Sequence, residues 1–169
     1  DFFSVANTNI LSGAGTALSM SSLQTGVANM LARTDTEGRS CDLAARVLVV
    51  PATLDVTAKE CLVSQSLARY TAVGTDRVPE GNALYKSLDL AVEPRLSNAT
   101  FTGNSAIAWY LFAAPADGAV VVAFLGGIDS PVVEQIDAGP NVLGLTWRGY
   151  VDVGCALADP RACLKCAGS

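Results

Sequence analysis

The chain has 169 residues, enough for one domain of ordinary size, and half of them are hydrophobic, which excludes intrinsic disorder. With 11 basic and 16 acidic residues the net charge is −5, so tight binding to phosphate backbones is not expected. Histidine is absent, which excludes Ser-His-Asp and Cys-His catalysis, His-ligated zinc and an imidazole pH switch within this chain. Only 16% of the residues are charged, and a monomer with so little charge is expected to expose apolar patches that mark interfaces.

The cysteines and the apolar runs bear on the compartment. Five cysteines, an odd number, argue against a closed disulfide framework and predict free thiols in a reducing cytosol. No apolar signal segment opens the chain, no apolar run approaches the length of a membrane span, and the densest run, Ala119–Leu125, suits a buried strand. The start at Asp1 instead of Met favours a processed product or a piece of a longer chain.

The first half of the chain predicts two helices. In chain order we expect a Gly-rich loop over 4–19, a helix over 21–33, a strand over 47–50, a helix over 54–66 and a loop over 68–83. Ser21 and Gln24 fit a capping box for the first helix, and Pro51 ends the first strand.

The second half predicts mainly strands. We expect strands over 88–92, 109–113 and 119–125, a turn over 115–118, an irregular segment over 126–141 and a long strand over 142–154. In the last of these, apolar residues from Leu143 to Val153 alternate with a more polar set from Gly144 to Asp152. Strands as long as this one generally belong to an extended sheet. The fold class is therefore predicted as α+β.

The C-x-x-C spacing of Cys163 and Cys166 is shared with zinc and redox sites. Zinc needs four ligands, and only Cys155 lies nearby, whereas a redox motif normally opens a helix after a strand. Incidental thiols are the favoured interpretation, and no catalytic, cofactor-binding or metal-binding residue is assigned.

Four further features have a bland and a functional interpretation. The loop Ser12–Thr16 resembles a phosphate cradle but has no preceding strand and no following Lys. Asn98-Ala99-Thr100 is a glycosylation sequon that matters only in a secreted chain. The carboxylates that could form an acid/base pair, although no spacing brings two together, are Glu93, Asp129, Glu134 and Asp137. Trp109 and Trp147 are most simply core residues, although tryptophan also anchors interfaces.

Several stretches in collinear order resemble the C-terminal portion of a bacteriophage major capsid protein. They are residues 9–19, Val47–Pro51, Leu90–Leu96, Ala108–Ala113, Val122–Leu125, Ser130–Gln135, the long strand and Asp159-Pro160-Arg161. The chain is most similar in this respect to the Mu-like major head subunit family and the related prohead-protease/capsid fusions. That resemblance implies the Hong Kong 97-type capsid fold, with an axial domain over 1–141 and a long strand over 142–169 that returns to the peripheral domain.

The resemblance also implies a function and partners. The chain would be a structural, non-enzymatic part of the icosahedral virion head, made in the bacterial host cytoplasm from a phage or prophage gene. Its partners would be other copies in pentamers and hexamers, and scaffolding protein or prohead protease during assembly. No cofactor, specific nucleic-acid contact or membrane contact is expected, and the loops 68–83 and 126–141 are the candidate contact segments.

The chain departs from the family pattern in two places. The N-terminal arm, the extended loop and the spine helix would all precede Asp1, and Leu164 stands where the family favours an aromatic residue before Lys165. The alternative from another class is a small non-catalytic binding module with a glycosylated Asn98 or a C-x-x-C metal or redox site. A hydrolase with paired carboxylates ranks below both.

Overall fold

The computed structural model describes residues 1–70, 77–136, 139 and 143–169. The α-helices in these residues are Met20–Leu31 (α1) and Asp55–Val63 (α2). The strands are Ile10–Leu11 (β1), Val47–Val50 (β2), Ser66–Tyr70 (β3), Arg77–Gly81 (β4), Asp89–Val92 (β5), Trp109–Phe112 (β6), Val120–Phe124 (β7), Val132–Ile136 (β8), Thr146–Tyr150 (β9), Val153–Leu157 (β10) and Cys163–Cys166 (β11). This mixture of helices and strands is compatible with the predicted α+β class.

The chain divides into two compact units. Unit 1 is Asp1–Ala119 with Asp159–Ser169, and unit 2 is Val120–Ala158. In unit 1 a five-stranded sheet has the order β1-β11-β6-β2-β5, in which the β1–β11 and β2–β5 pairs are parallel and the others antiparallel. The amide of Asp159 donates to the carbonyl of Gly118 at 3.1 Å, so the chain leaves and re-enters unit 1 at neighbouring points.

The hydrophobic core of unit 1 lies between α1 and the sheet. Leu111 of β6 is the cross-strand partner of Leu164 on β11 and of Leu48 on β2, and all three side chains are fully buried. Gly26 of α1 faces this layer, and α2 contributes the buried residues Ala58, Cys61 and Leu62. The apolar positions of the first helix and of the predicted strands 47–50 and 109–113 therefore form one core, as their spacing indicates.

Gly26 allows α1 to approach the sheet closely. A Cβ at this position would lie 2.9 Å from Cδ1 of Leu111 and 3.3 Å from Cη2 of Trp109, both of which are buried. We expect Gly26→Val to lower the free energy of unfolding by about 1–3 kcal/mol because the added atoms overpack the core. Urea unfolding followed by circular dichroism measures the change. Ala28→Val, at an exposed position of the same helix, should change it by less than about 1 kcal/mol, and an equal loss in both variants would contradict the close-packing argument.

The two helices are confirmed, with different ends. The capping box of α1 is formed by Ser19 and Ser22, not by Ser21 and Gln24, because the Ser19 hydroxyl accepts from the Ser22 amide at 3.2 Å and the Ser22 hydroxyl accepts from the Ser19 amide at 2.9 Å. The second helix is shorter than the predicted 54–66, since residues from Ser66 onward belong to β3. Periodicity places a helix well and its ends poorly, because several polar residues at each end could serve as the cap.

The single long strand predicted over 142–154 is wrong. Leu143–Leu145 lie outside strands, residue 142 lies outside the described residues, and the rest divides into β9 and β10 on either side of Val151 and Asp152. β9 pairs with β8, whereas β10 pairs with β7. The alternation of side chains continues through the break, so the sequence pattern does not reveal the change of partner.

Three other segments also differ from expectation. The predicted loop 68–83 contains parts of the paired strands β3 and β4, with residues 71–76 outside the described residues. The predicted irregular segment 126–141 contains β8, and the predicted loop 4–19 contains β1, which pairs with β11. In each case Gly, Pro or polar residues obscure a strand that is defined by its pairing partner and not by its own pattern.

Candidate interaction surface

The first and the last strand of unit 2 form an apolar two-stranded ribbon. β7 has the sequence VVVAF and β10 the sequence VGCAL, and they pair antiparallel with Val122 opposite Cys155. None of these ten residues carries a charged side chain. We call Val120–Phe124 together with Val153–Leu157 the apolar ribbon.

The pairing register divides the apolar ribbon into two faces. Side chains alternate along each strand, and directly opposed residues of an antiparallel pair point to the same side. The large-residue face consists of Val120, Val122, Phe124, Val153, Cys155 and Leu157. The small-residue face consists of Val121, Ala123, Gly154 and Ala156.

Every residue of the apolar ribbon is exposed in the single chain. On the large-residue face the exposed fraction of the valine, leucine and phenylalanine side chains runs from 38% at Phe124 to 59% at Leu157. The prediction of a buried strand over 119–125 is therefore wrong for β7, although Ala119 itself is buried. The density of apolar residues is the same for a strand in a core and for a strand that a partner covers, so composition cannot separate the two.

The rest of unit 2 also presents large apolar side chains. β8 and β9 pair antiparallel with Gln135 opposite Trp147, whose side chain is 59% exposed, and Glu134 forms an ion pair with Arg148 across the strands. Trp109 is fully buried in unit 1, so of the two tryptophans predicted to be core residues only Trp109 is one. Trp147 is positioned as a surface residue, which agrees with the alternative interpretation of tryptophan as an interface anchor.

The two thiols of the C-x-x-C motif point to opposite faces of β11. Residues three apart in a strand lie on different sides of the sheet. Their neighbours differ accordingly: Sγ of Cys163 lies 3.9 Å from the side-chain Nδ2 of Asn9, whereas Cys166 is the strand partner of Trp109. Burial raises the pKa of Cys163 to about 11 and that of Cys166 to about 12. Within the described residues no cluster of three or more Cys, Asp or Glu side chains could hold a metal ion. The geometry therefore makes Cys163 and Cys166 core residues and not a converging ligand pair.

The Gly-rich loop Ser12–Thr16 is bound to the end of the chain. The Thr16 amide donates to the carbonyl of Ser169 at 3.0 Å, and the Thr16 carbonyl accepts from the Trp109 indole at 2.9 Å. The loop borders a cavity of about 190 Å³ that is lined by apolar and hydroxyl residues without a basic side chain. The cavity offers no positive charge to a phosphate. The loop therefore packs against the core instead of binding an anion.

Two of the four candidate carboxylates have local partners, and a third, Asp129, is exposed. Glu93 accepts from the amide of Arg95 at 3.0 Å and caps its own turn, Glu134 pairs with Arg148, and Asp137 lies outside the described residues. The Asn98 side chain accepts from the Thr100 amide at 3.0 Å in an exposed turn. Glu93 and Glu134 are therefore not arranged as an acid/base pair.

Among the described residues, no helix is both long and apolar enough to span a membrane.

Comparison with protein families identifies the kind of protein to which these surfaces belong. A family model described as phage capsid protein matches residues 2–166, nearly the whole chain. The chain belongs to this phage capsid protein family. Such a family has the structural, non-enzymatic role that the sequence predicts, and its members associate with other capsid copies. They act in the virion.

The capsid chain also shares a short similarity with an enzyme. It is 51% identical over 57 residues to the tRNA-specific 2-thiouridylase MnmA of Jannaschia sp. (strain CCS1). The matched segment is 32% of the capsid chain and 14% of that enzyme, so the chain spans about one seventh of its length. A match of this extent does not make the capsid chain a thiouridylase.

The thiols of the capsid chain should differ in reactivity. At pH 8 we expect N-ethylmaleimide to modify Cys155 in the folded subunit, because its side chain is exposed, and to spare Cys163 and Cys166. The thiolate is the reactive form, and a pKa raised above 9 keeps the two buried thiols protonated until the pH approaches 11. Mass spectrometry of peptides from folded and urea-denatured protein measures the labelling. Equal rates at all three cysteines, or a disulfide between Cys163 and Cys166, would contradict this assignment.

Proposed function

We propose that the chain is part of a major capsid protein of a phage or prophage, of the Mu-like head subunit type with the Hong Kong 97-type fold. In this proposal residues 1–141 belong to the axial domain and residues 142–169 return to the peripheral domain. Copies assemble as pentamers and hexamers into an icosahedral head that encloses DNA, after synthesis in the host cytoplasm. Scaffolding protein or a prohead protease takes part in assembly.

The observation that carries the proposal is a family match to phage capsid proteins over residues 2–166. The exposed apolar surface of unit 2 supports it, because a single chain that leaves Leu145, Trp147 and the apolar ribbon in water gains stability when neighbours cover them. The net charge of −5 supports a shell that does not bind the phosphate backbone of its DNA tightly. Many individually weak interfaces then add up through the closed symmetry of the shell.

Electron microscopy of the full-length protein tests the proposal. Coexpressed with its scaffolding partner and protease, the protein should form closed particles of uniform size, with pentamers and hexamers resolved in the averaged shell. An antibody against residues 1–169 should bind to the purified virion. Failure of the coexpressed protein to form particles or capsomers, together with absence of the chain from virions, would overturn the assignment as a major head subunit.

A further inference from the structure

The apolar ribbon lacks the features that keep an exposed strand pair from associating. Natural edge strands carry lysine, proline or an inward-pointing charge, or are covered by another segment. β7 and β10 have none of these residues, and no third strand pairs with either of them among the described residues. Two-stranded sheets are marginal in water without a packed face. The apolar ribbon therefore needs a cover.

The chemistry of the large-residue face restricts the identity of that cover. A charged partner would have no opposite charge to meet on this face, whereas an uncharged apolar surface of the same kind would match it. The six residues of this face are fewer than the roughly 20–30 that each side of a standard stable interface contributes. Such a small surface suits an interface that is repeated around a closed assembly, where many copies act together.

We propose that the large-residue face of the apolar ribbon is a contact surface between subunits, covered by a second copy of this chain. The inference rests on the proposed function, in which many copies surround each other, and it adds the surface through which they meet. The small-residue face is not part of the contact. Cys155 lies opposite Val122 in the register and on the large-residue face, so its thiol should be covered in the assembly.

Neighbouring valines on opposite faces provide a matched pair of variants. Val122 and Val121 are 53% and 45% exposed, so neither substitution places a charge in the core of the single chain. We expect Val122→Glu in the full-length protein to raise the subunit concentration needed for assembly by about ten-fold or more, because assembly would bury an unpaired carboxylate. Val121→Glu should change it by less than about two-fold. Light scattering measures assembly, and circular dichroism shows that each variant is folded.

Chemical labelling of the unmodified protein gives a second readout that does not depend on folding of the variants. N-ethylmaleimide should modify Cys155 at least about ten-fold more slowly in assembled particles than in dissociated subunits, and Cys155→Ser identifies the signal. Equal labelling rates, or equal effects of Val121→Glu and Val122→Glu, would overturn the inference. Protection that requires scaffolding protein would overturn it too, since the cover would then be a different protein.

Two results separate this inference from the proposed function. If particles form while Cys155 stays reactive and Val122→Glu still assembles, the capsid role holds and the proposed surface is wrong. If no particles form, sedimentation of the full-length subunit still tests the surface. Association that increases with concentration and is lost in Val122→Glu supports the contact, and absence of such association refutes it.

Discussion

Replacement of Trp109 by alanine is expected to destabilise the protein by about 3–5 kcal/mol, the range for loss of a large aromatic side chain from a core. The indole is fully buried beside Gly26 of α1, and its Nε1 donates to the carbonyl of Thr16 at 2.9 Å. The substitution would leave a cavity between helix and sheet and an unpaired carbonyl in the Gly-rich loop. Urea unfolding followed by far-ultraviolet circular dichroism measures the loss.

Trp147 is the matched control for Trp109. Its side chain is exposed on β9, so Trp147→Ala should change the free energy of unfolding of the single chain by no more than about 0.5 kcal/mol. Acrylamide should quench the fluorescence of Trp147 readily and that of Trp109 weakly, and single-tryptophan variants with phenylalanine at the other position separate the two signals. A comparable loss of stability in Trp109→Ala and Trp147→Ala would refute the assignment of only one of them to the core.

Arg33 is the second residue whose replacement should have a large effect, with an expected loss of about 3 kcal/mol in Arg33→Met. Its guanidinium donates to the carbonyls of Arg161, Cys163 and Thr8, with Nη1 at 2.7 Å from the Cys163 oxygen and Nη2 at 3.3 Å from the Thr8 oxygen. Burial lowers the pKa of Arg33 because the charged guanidinium has lost most of its hydration. The carbonyl dipoles stabilise this charge in place of water. Methionine would keep the apolar stem and leave the carbonyls unpaired.

Two further substitutions test the role of the Arg33 hydrogen bonds. Arg33→Lys keeps the charge but not the planar fork of donors. It should therefore be less stable than the wild type and more stable than Arg33→Met. Arg39→Met removes a side chain that is 76% exposed and should stay within about 0.5 kcal/mol of the wild type. If Arg33→Met is as stable as Arg39→Met, the hydrogen bonds of the buried guanidinium do not stabilise the fold.

Sequence patterns predict the core of unit 1 better than the surface of unit 2, for a physical reason. The helix that packs through Gly26 and the strand around Leu111 are defined by apolar spacing, which reports burial directly. The same signal misassigns Val120–Phe124, because an exposed apolar strand has the same composition as a buried one. Val153 and Gly154 fall within the predicted strand 142–154 for a related reason, since alternation continues where the pairing partner changes.

The candidate surface could be anticipated only in general terms. The low proportion of charged residues indicates association, but it does not say that the exposed apolar residues lie together on β7 and β10. Sequence patterns also do not predict the buried polar residues. The fully buried side chain of Asn9 donates to the carbonyls of Phe2 and Pro160. Asn9 and Pro160 are 151 positions apart, so no local pattern contains this contact. Such long-range partners become visible only when the sheet order is known.

The hydrogen bond between Asp159 and Gly118 means that the two points at which unit 1 connects to the segment Val120–Ala158 adjoin each other. A segment with adjoining ends can be excised, lengthened or exchanged at little entropic cost to the remaining domain. Natural variation can therefore change the segment Val120–Ala158 while Asp1–Ala119 and Asp159–Ser169 keep the same hydrophobic core. A peptide grafted between Ala119 and Asp159 would be displayed by a scaffold that has lost none of its own sheet.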